Sequence, residues 1–164
     1  MKPVITTYLE MRDRSQLRPK TTGDPRFRVV EATENNGELN RSLYLLVGEV
    51  WAWKDKLPWS PEEWKSYAES DNLKTFVAYL DEQIVGYFEL MIHEGTVEIA
   101  YFGLAPDFIG EGLGGALLTQ AIEAAWRLNP TRIWVHTCTL DHPAALQNYL
   151  SRGMSVYEIR EENA

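Results

Sequence analysis

The segment that most constrains the fold spans residues 101 to 126 and reads YFGLAPDFIGEGLGGALLTQAIEAAW. It begins as an apolar strand, reaches Pro106, places four glycines between positions 110 and 115, and continues as a helix. Glycine lacks a Cβ, so other groups can approach its backbone closely. The segment therefore predicts an α/β fold in which something packs directly against the main chain of this turn.

The residues alone leave two interpretations of the glycine turn open. A helix N-terminus carries unpaired N–H groups and a partial positive charge, and the glycines between 110 and 115 would let a phosphate reach them. The same glycines could instead serve only a tight turn and close helix-to-strand packing. No lysine or arginine lies between Lys74 and Arg127, so an anion here would be held mainly by backbone N–H groups.

Two nucleotide-binding motifs can be compared with this turn, and neither fits. Gly110, Gly112 and Gly115 match the dinucleotide fingerprint GxGxxG, but residues 106 to 109 separate the turn from its strand and three strands already precede it. The chain after residue 139 is also too short for the second half of a dinucleotide domain. A phosphate-binding loop of the Walker A type requires a lysine, which the turn lacks.

The N-terminal part of the chain predicts two strands followed by two helices. Residues 4 to 11 and 26 to 33 alternate as strands do, and apolar residues recur at helical spacing from Leu39 to Val50. Ser60 followed by Pro61 and two acidic residues predicts the start of the second helix.

The remainder predicts three antiparallel strands and then helices alternating with strands. TFVAYL, QIVGYFELMI and VEIAYFGLA are the strands, and Leu113 to Leu128 is the following helix. RIWVHTCTL is a strand, Pro143 to Arg152 a helix ended by Gly153, and SVYEIR the last strand. The resulting order, ββααβββαβαβ, predicts a mixed sheet in which residues 97 to 139 form a parallel, right-handed crossover.

Composition limits the class of protein. The 164 residues fit one domain, and a 45% hydrophobic content without any run of about 20 apolar residues predicts a soluble globular chain. The single Cys138 excludes an internal disulfide, and the N-terminus lacks a signal-peptide pattern, so we expect a cytoplasmic protein. A net charge of −8 argues against nucleic-acid and membrane partners. We also expect no metal site, because His136 and His142 lack further ligands at metal-binding spacing.

Three stretches share a pattern with a known family. The turn from Ile109 to Gly114 is similar to Arg/Gln-x-x-Gly-x-Gly/Ala, and the preceding strand ends in Phe-Gly-Leu-Ala-Pro. HPAALQNYLSRGM is similar to Asn-x-x-Ala-x-x-Leu-Tyr-x-x-x-Gly-Phe. Together with the element order, these stretches resemble the GNAT superfamily of acyl-CoA-dependent N-acyltransferases over residues 26 to 160, with an extra N-terminal strand at about residues 3 to 11. The resemblance implies one GNAT-like domain over residues 1 to 164, with helices on both faces of a mostly antiparallel sheet that is splayed beside the glycine-turn helix.

The resemblance also implies where acetyl-CoA would bind. The pyrophosphate would lie on the N–H groups of residues 110 to 115, and the pantetheine arm would add like a strand to residues 102 to 104, with Gly103 as a plausible strand bulge. The residues assigned to the cofactor are Phe102, Gly103, Leu104, Ile109, Gly110, Glu111, Gly112, Leu113, Gly114, Gly115 and His142. In the family pattern, Ile109 and Glu111 stand where basic or amide residues are common, and His142 replaces an asparagine.

Two residues match catalytic positions of the family. Glu98 lies at the offset of a catalytic glutamate, on the strand face expected to carry Ala100 and Phe102, and Tyr149 matches the tyrosine that faces the CoA sulfur. Glu98 could instead be the solvated half of an alternating strand, and Tyr149 could be a core residue beside Leu146 and Leu150. We do not assign Cys138 as a nucleophile, because a free cysteine within a sheet is usually a small apolar residue.

The acceptor side carries an aromatic group of residues. Trp51, Trp53 and Trp59, with Asp55, Glu62 and Glu63 nearby, lie between the first two helices, the region that forms one wall of the acceptor site in the family. Packing of the helices on the sheet is an equal explanation for the three tryptophans, and Trp64 is expected in the core.

Two functions are consistent with these features. The first is an N-acetyltransferase that moves the acetyl group of acetyl-CoA to a primary amine, either a small molecule or a peptide, by direct aminolysis in a ternary complex. The second is a non-catalytic acyl-CoA-binding or sensing module, which the replacements at Ile109 and Glu111 would suit. The sequence leaves a homodimer open.

Overall fold

The described chain folds into one sheet with helices on both faces, in a computed structural model that covers residues 3–33, 37–51 and 53–162. The strands are β1 Val4–Met11, β2 Phe27–Glu31, β3 Leu73–Leu80, β4 Gln83–His93, β5 Thr96–Leu104, β6 Arg132–Cys138 and β7 Ser155–Glu162. The helices are α1 Gly37–Gly48, α2 Pro61–Ala68, α3 Gly114–Trp126 and α4 Ala145–Ser151. This mixed α/β architecture confirms the predicted fold class.

The sheet diverges at one place, between β5 and β6. The strand order is β2-β3-β4-β5-β6-β1-β7, and all neighbours are antiparallel except β5 and β6. Residues 96–98 of β5 pair in parallel with residues 132–134 of β6, and the ladder stops there. The parallel crossover through α3 and the splayed sheet were both predicted, and both are present.

The N-terminal strand lies inside the sheet. Thr6 through Met11 pair with residues 133–138 of β6, and the other edge of β1 pairs with β7. The sequence predicted this strand without a position for it. Its place between β6 and β7 makes β1 the link between the crossover and the last strand of the chain.

A bulge in β5 lies at Ala100, so the predicted bulge at Gly103 is wrong. Glu89 of β4 is opposite Tyr101 whereas Leu90 is opposite Ile99, which leaves Ala100 as the extra residue. Gly103 has a different reason to lack a side chain, since a Cβ there would lie 2.5 Å from Val47 Cγ1 of α1. The glycine allows α1 to pack closely on β5.

The two faces of the sheet carry different cores. The larger core packs α3 and α4 against the sheet, with Leu117 and Ile122 fully buried. The smaller core packs α1 on the other face through Leu43 and Val47, in contact with Tyr87 of β4. The cleft described below opens between these two layers.

Local signals set the helix ends. Ser60 caps α2, as predicted, by accepting a hydrogen bond from the Glu63 N–H, and the Ser60 N–H donates one to Glu63 Oε1. Helix α1 ends at Gly48, two residues before the predicted Val50, and a short 3-10 turn follows at Glu49–Trp51. A Cβ at Gly48 would overlap the Trp53 ring, so this position requires glycine. No helix of the described residues is long and apolar enough to cross a bilayer.

Candidate active site

A cleft of about 1080 Å³ opens where β5 and β6 diverge. Most residues that the sequence assigned to the site line this cleft: Glu98, Phe102, Gly103, Leu104, Ile109, Gly110, Gly112, Gly114, Gly115, His142, Tyr149, Trp51 and Trp53. Glu111, Leu113 and Trp59 do not line it. The predicted cofactor, catalytic and acceptor groups are thus brought to one continuous cavity.

The glycine turn lines the cleft, and several backbone N–H groups beside it have no partner within α3. Gly110 and Gly112 have φ of +89° and +80°, a region that disfavours other residues. The first intrahelical hydrogen bond of α3 runs from the Leu117 N–H to the Leu113 carbonyl, so earlier N–H groups at the helix start have no intrahelical partner. The Leu113 side chain points into the core at 3% exposure, which fixes the turn on the sheet.

Two cations lie beside this turn, although the local sequence contains none. A Cβ at Gly115 would lie 2.2 Å from Arg152 Nη1 and 2.6 Å from Lys20 Cδ. Lys20 lines the cleft and is held by a 2.9 Å hydrogen bond from its N–H to Thr119 Oγ1. The buried Nε of Arg152 has no hydrogen-bond partner among the described residues. An anion at the turn would therefore meet side-chain charge as well as backbone N–H groups, which the sequence analysis missed.

The edge of β5 that faces the cleft is open. Because pairing with β6 stops at Glu98, the stretch from Tyr101 to Leu104 has a strand neighbour only on the β4 side in the described chain. Its backbone can therefore accept an extended ligand with amide groups as an added strand. Phe102 lies on the α3 side of this stretch, with its ring 6.1 Å from the ring of Tyr149.

Glu98 lies at the point where the two strands separate, between two histidines. Its Oε1 is 2.9 Å from His93 Nε2, and its Oε2 is 3.8 Å from His136 Nε2. The Glu98 side chain is 15% exposed, whereas the two imidazole side chains are 44% and 47% exposed. The carboxylate is thus partly enclosed, and both imidazoles extend from it toward solvent.

The bulge changes which residues share a face with Glu98. Glu98 is opposite Met91 and Tyr101 is opposite Glu89, so Glu98 and Tyr101 point to the α1 side of the sheet. Phe102 packs instead into the core under α3. The expectation that Glu98 shares a face with Ala100 and Phe102 is therefore wrong, because strict alternation does not continue through an extra residue.

Tyr149 stands on α4 at the inner wall of the cleft. The side chain is 5% exposed, and burial raises the pKa of its phenol above the ordinary value, with the nearby Asp141 carboxylate adding to the effect. Asp141 accepts hydrogen bonds from the Thr137 hydroxyl at 2.7 Å and from the Cys138 N–H at 2.9 Å. A phenol that keeps its proton can donate a hydrogen bond to a developing anion.

Cys138 and His142 also lie in this part of the cleft. Burial raises the pKa of the Cys138 thiol, which disfavours the thiolate and agrees with not assigning it as a nucleophile. His142 helps to start α4, because its Nδ1 accepts a 2.8 Å hydrogen bond from the Ala144 N–H. The Trp51 ring packs edge-on against His142 at 4.9 Å.

The three tryptophans do not form one wall. Trp53 lines the cleft, with its ring 5.1 Å from Tyr101 and its Nε1 donating to Asp141 Oδ1 at 3.4 Å. Trp59 lies outside the cleft and packs edge-on against Trp64, which is 2% exposed and belongs to the core as predicted. Of the three tryptophans predicted for the acceptor wall, only Trp51 and Trp53 line the cleft.

Lys56, which lines the cleft, lies in an aromatic cage. Its Nζ lies 4.5 Å from the ring centre of Trp59, and 4.8 Å from the ring centres of Tyr67 and Tyr101. The ammonium also donates to the Tyr101 hydroxyl at 3.0 Å and lies 3.4 Å from Asp55 Oδ2. Of the three tryptophans expected in the acceptor wall, only Trp59 belongs to this cage, and a lysine of the chain already lies over its ring.

A buried polar group lies behind this cage. Glu89 is 1% exposed and accepts hydrogen bonds from the hydroxyl of Tyr67 and, at 2.8 Å, from Asn40 Nδ2. Burial raises the pKa of Glu89 above its ordinary value. These hydrogen bonds connect α1 and α2 to β4 in the middle of the sheet, and they hold the Tyr67 ring of the cage in place.

The family is shown by comparison with family models. The model described as "Acetyltransferase (GNAT) family" matches residues 37–154, which is more than half of the chain. The chain therefore belongs to the GNAT acetyltransferase family. No curated protein sequence matches it.

Solved structures with the same fold are distant in sequence. A GCN5-related N-acetyltransferase from Sphaerobacter thermophilus is 19% identical with a TM-score of 0.70, over 96% of this chain and 50% of that protein. An aminoglycoside acetyltransferase from an uncultured soil metagenomic sample is 21% identical with a TM-score of 0.66, over 79% of this chain and 88% of that one.

A third structure is a functionally unknown conserved protein from Staphylococcus epidermidis, 17% identical with a TM-score of 0.65 over 99% of this chain. This chain spans only 63% of that protein's length, and half of the Sphaerobacter protein's. At such identities the likeness shows the fold alone.

Proposed function

We propose that this chain is an N-acetyltransferase that transfers the acetyl group of acetyl-CoA to a primary amine by direct aminolysis. The observation that carries the proposal is the cleft itself, in which the glycine turn, the open edge of β5 and the pair Glu98 and Tyr149 line one cavity. Each of these parts suits a different portion of the reaction.

The cofactor end of the cleft fits acetyl-CoA. A pyrophosphate on the N–H groups of residues 110 to 115 would meet the partial positive charge of the α3 N-terminus, with Lys20 and Arg152 beside it. The amides of a pantetheine arm would pair with the open edge of residues 102 to 104. The thioester would then lie near the bulge at Ala100, between Glu98 and Tyr149.

The chemistry requires two protons to leave the acceptor ammonium. One must leave before attack, which costs about 4 to 5 kcal/mol at pH 7 for an amine with a pKa near 10.4. Glu98, at the divergence of β5 and β6, is the carboxylate suited to accept it, directly or through water. The second proton leaves the nitrogen as the amide forms and the C–S bond breaks. The CoA thiolate takes up one proton to become a thiol. Tyr149 would donate a hydrogen bond to the departing sulfur.

The acceptor would enter beside Trp51 and Trp53. Since the Lys56 ammonium occupies the faces of Trp59, Tyr67 and Tyr101, an acceptor ammonium would meet the carboxylate of Glu98 instead. This arrangement favours a single primary amine on a small molecule or peptide. The fold is shared with an aminoglycoside acetyltransferase, so aminoglycosides belong in the test panel.

Calorimetric titration with coenzyme A and acetyl-transfer assays test the proposal. We expect binding of coenzyme A, and a mass increase of one acetyl group on at least one amine among aminoglycosides, polyamines, amino acids and lysine peptides. The Trp53→Ala variant should raise the KM of that amine if this wall contacts it. Absence of binding at millimolar coenzyme A would reject the transferase, and binding without turnover would favour an acyl-CoA-binding module.

Tyr149→Phe tests the role of the phenol. The change removes one hydroxyl and keeps the ring against Phe102, so the dissociation constant of coenzyme A should stay constant while kcat falls about tenfold or more. Tyr157→Phe, on the exposed face of β7, is the matched control and should keep full activity. An unchanged kcat in Tyr149→Phe would remove Tyr149 from the reaction.

A further inference from the structure

The proposed reaction releases one proton in every turnover, and no residue named so far carries that proton to solvent. An acceptor ammonium loses two protons when it becomes an amide, and the CoA thiolate takes up only one. The other proton must reach solvent in every turnover. This inference rests on the proposed function.

Glu98 alone is poorly suited to deliver that proton. Its side chain is 15% exposed, which limits its direct contact with bulk water. A group that can take up and release a proton, and that extends from the carboxylate to solvent, would complete the path.

His93 meets both requirements. Its Nε2 is 2.9 Å from Glu98 Oε1, and its side chain is 44% exposed. The β4–β5 hairpin fixes this contact, since the two residues lie close on adjacent strands and face the same side. The ring also lies 5.5 Å from the ring of Trp134, which covers one face of the imidazole and limits its orientation.

The surroundings of His93 leave Glu98 as its direct charged partner. From β6, His136 reaches the other oxygen of Glu98 at 3.8 Å, and Arg132 lies over the far side of Trp134 at 5.9 Å. From β1, the Tyr8 ring packs on His136 at 5.4 Å. His136 is therefore a second imidazole on the same carboxylate, at a distance beyond a direct hydrogen bond.

We propose that His93 is a proton-relay residue that accepts the acceptor's proton from Glu98 and passes it to solvent. The step moves one proton from the Glu98 carboxyl to His93 Nε2, and the imidazolium then releases a proton to water. No bond to carbon or sulfur changes in this step. His93 acts through Glu98 and does not touch the acceptor.

The test is the pH profile of His93→Gln, since glutamine can keep a hydrogen bond to Glu98 but cannot carry a proton. In the wild-type protein kcat should fall as the pH is lowered, because an imidazole that already carries a proton cannot accept another from Glu98. In His93→Gln this limb should vanish, kcat at pH 7.5 should drop about tenfold, and added imidazole should restore part of it. The acceptor KM and the affinity for coenzyme A should stay constant.

His136→Gln provides the comparison within the cluster, with an expected loss of about twofold because its imidazole lies farther from the carboxylate. Thermal unfolding of each variant checks that it is folded. A His93→Gln variant with the wild-type profile, or one whose loss imidazole does not relieve, overturns the relay and leaves the transferase standing. A wild-type protein that acetylates no amine rejects both.

Discussion

At the scale of single residues, the glycine turn depends on a backbone conformation that few other residues tolerate. Positive φ at Gly110 and Gly112 is a local requirement, and it is visible in the sequence as glycines placed between a strand and a helix. The residue types at Glu98 and Tyr149 were proposed by their match to a family pattern, and both line the cleft.

Gly112→Ala is expected to weaken coenzyme A binding about tenfold. A Cβ at this position meets no atom within 4 Å, so the effect would come from backbone strain at φ +80° rather than from a clash. A left-handed conformation costs a residue with a Cβ roughly 1 to 2 kcal/mol, which converts to about a factor of ten. Isothermal titration measures the change.

Gly23→Ala is the control for this substitution. Gly23 also has open space around it, but its φ is outside the left-handed region, so the dissociation constant should not change. Equal affinities for Gly112→Ala and the wild-type protein would show that the turn conformation is not needed for binding.

The cations at the site were beyond the reach of sequence reasoning. Lys20 lies outside the family-like stretches, and Arg152 stands at a variable position of one, so only the folded chain shows that both lie beside Gly115. Lys56 is a similar case, because its position among three rings depends on how α2 packs against β5. The positions of such residues depend on tertiary packing, and the hydrophobic periodicity of the sequence carries no information about that packing.

At the scale of secondary-structure elements, strand and helix types were predictable and the irregularities were not. The Ser60 cap was visible because capping depends on residues three positions apart. The bulge at Ala100 was not visible, since alanine carries no bulge signal and the register of β5 is fixed by β4. One extra residue was enough to reverse the expected orientation of everything after it in β5.

The segment before β2 also shows how elements support the site. Thr119 of α3 accepts a hydrogen bond from the Lys20 N–H at 2.9 Å and donates one to the Gly115 carbonyl at 2.8 Å. Thr119→Val keeps the shape but leaves the Lys20 N–H unpaired. We expect the free energy of unfolding to fall by about 1 kcal/mol and coenzyme A to bind more weakly.

Urea denaturation and calorimetry measure the two effects of Thr119→Val. Thr21→Val, at an exposed position of the same segment, should change neither quantity. A destabilised Thr119→Val protein with wild-type affinity for coenzyme A would mean that Lys20 does not assist cofactor binding.

At the scale of the whole molecule, the buried carboxyl of Glu89 links stability to pH. Burial raises the pKa of Glu89, so the folded protein favours the protonated form. The stabilisation from this group is complete below the ordinary carboxyl value near 4.3 and is lost as pH rises through the folded value. Glu89→Gln, which is neutral at every pH, should therefore gain stability relative to the wild-type protein as the pH rises above about 4.3.

Urea unfolding at several pH values checks this sign. The difference between the variant and the wild-type protein isolates Glu89 from the other carboxyl groups. Glu123→Gln, at an exposed position of α3, is the matched control and should give a constant difference. A difference in the free energy of unfolding between Glu89→Gln and the wild-type protein that stays constant, or decreases as pH rises, would contradict the prediction.

The position of β1 has a consequence for biosynthesis. Thr6 pairs with Cys138, and Val4 pairs with Glu162, so β1 gains either neighbour only after residues 132–162 have been synthesised. Pairings so distant along the chain are slow to form, and unpaired strand edges invite aggregation in the interval. We expect β1 to enter the sheet only after β6 has left the ribosome, whereas the β3–β4–β5 hairpins can assemble earlier in synthesis.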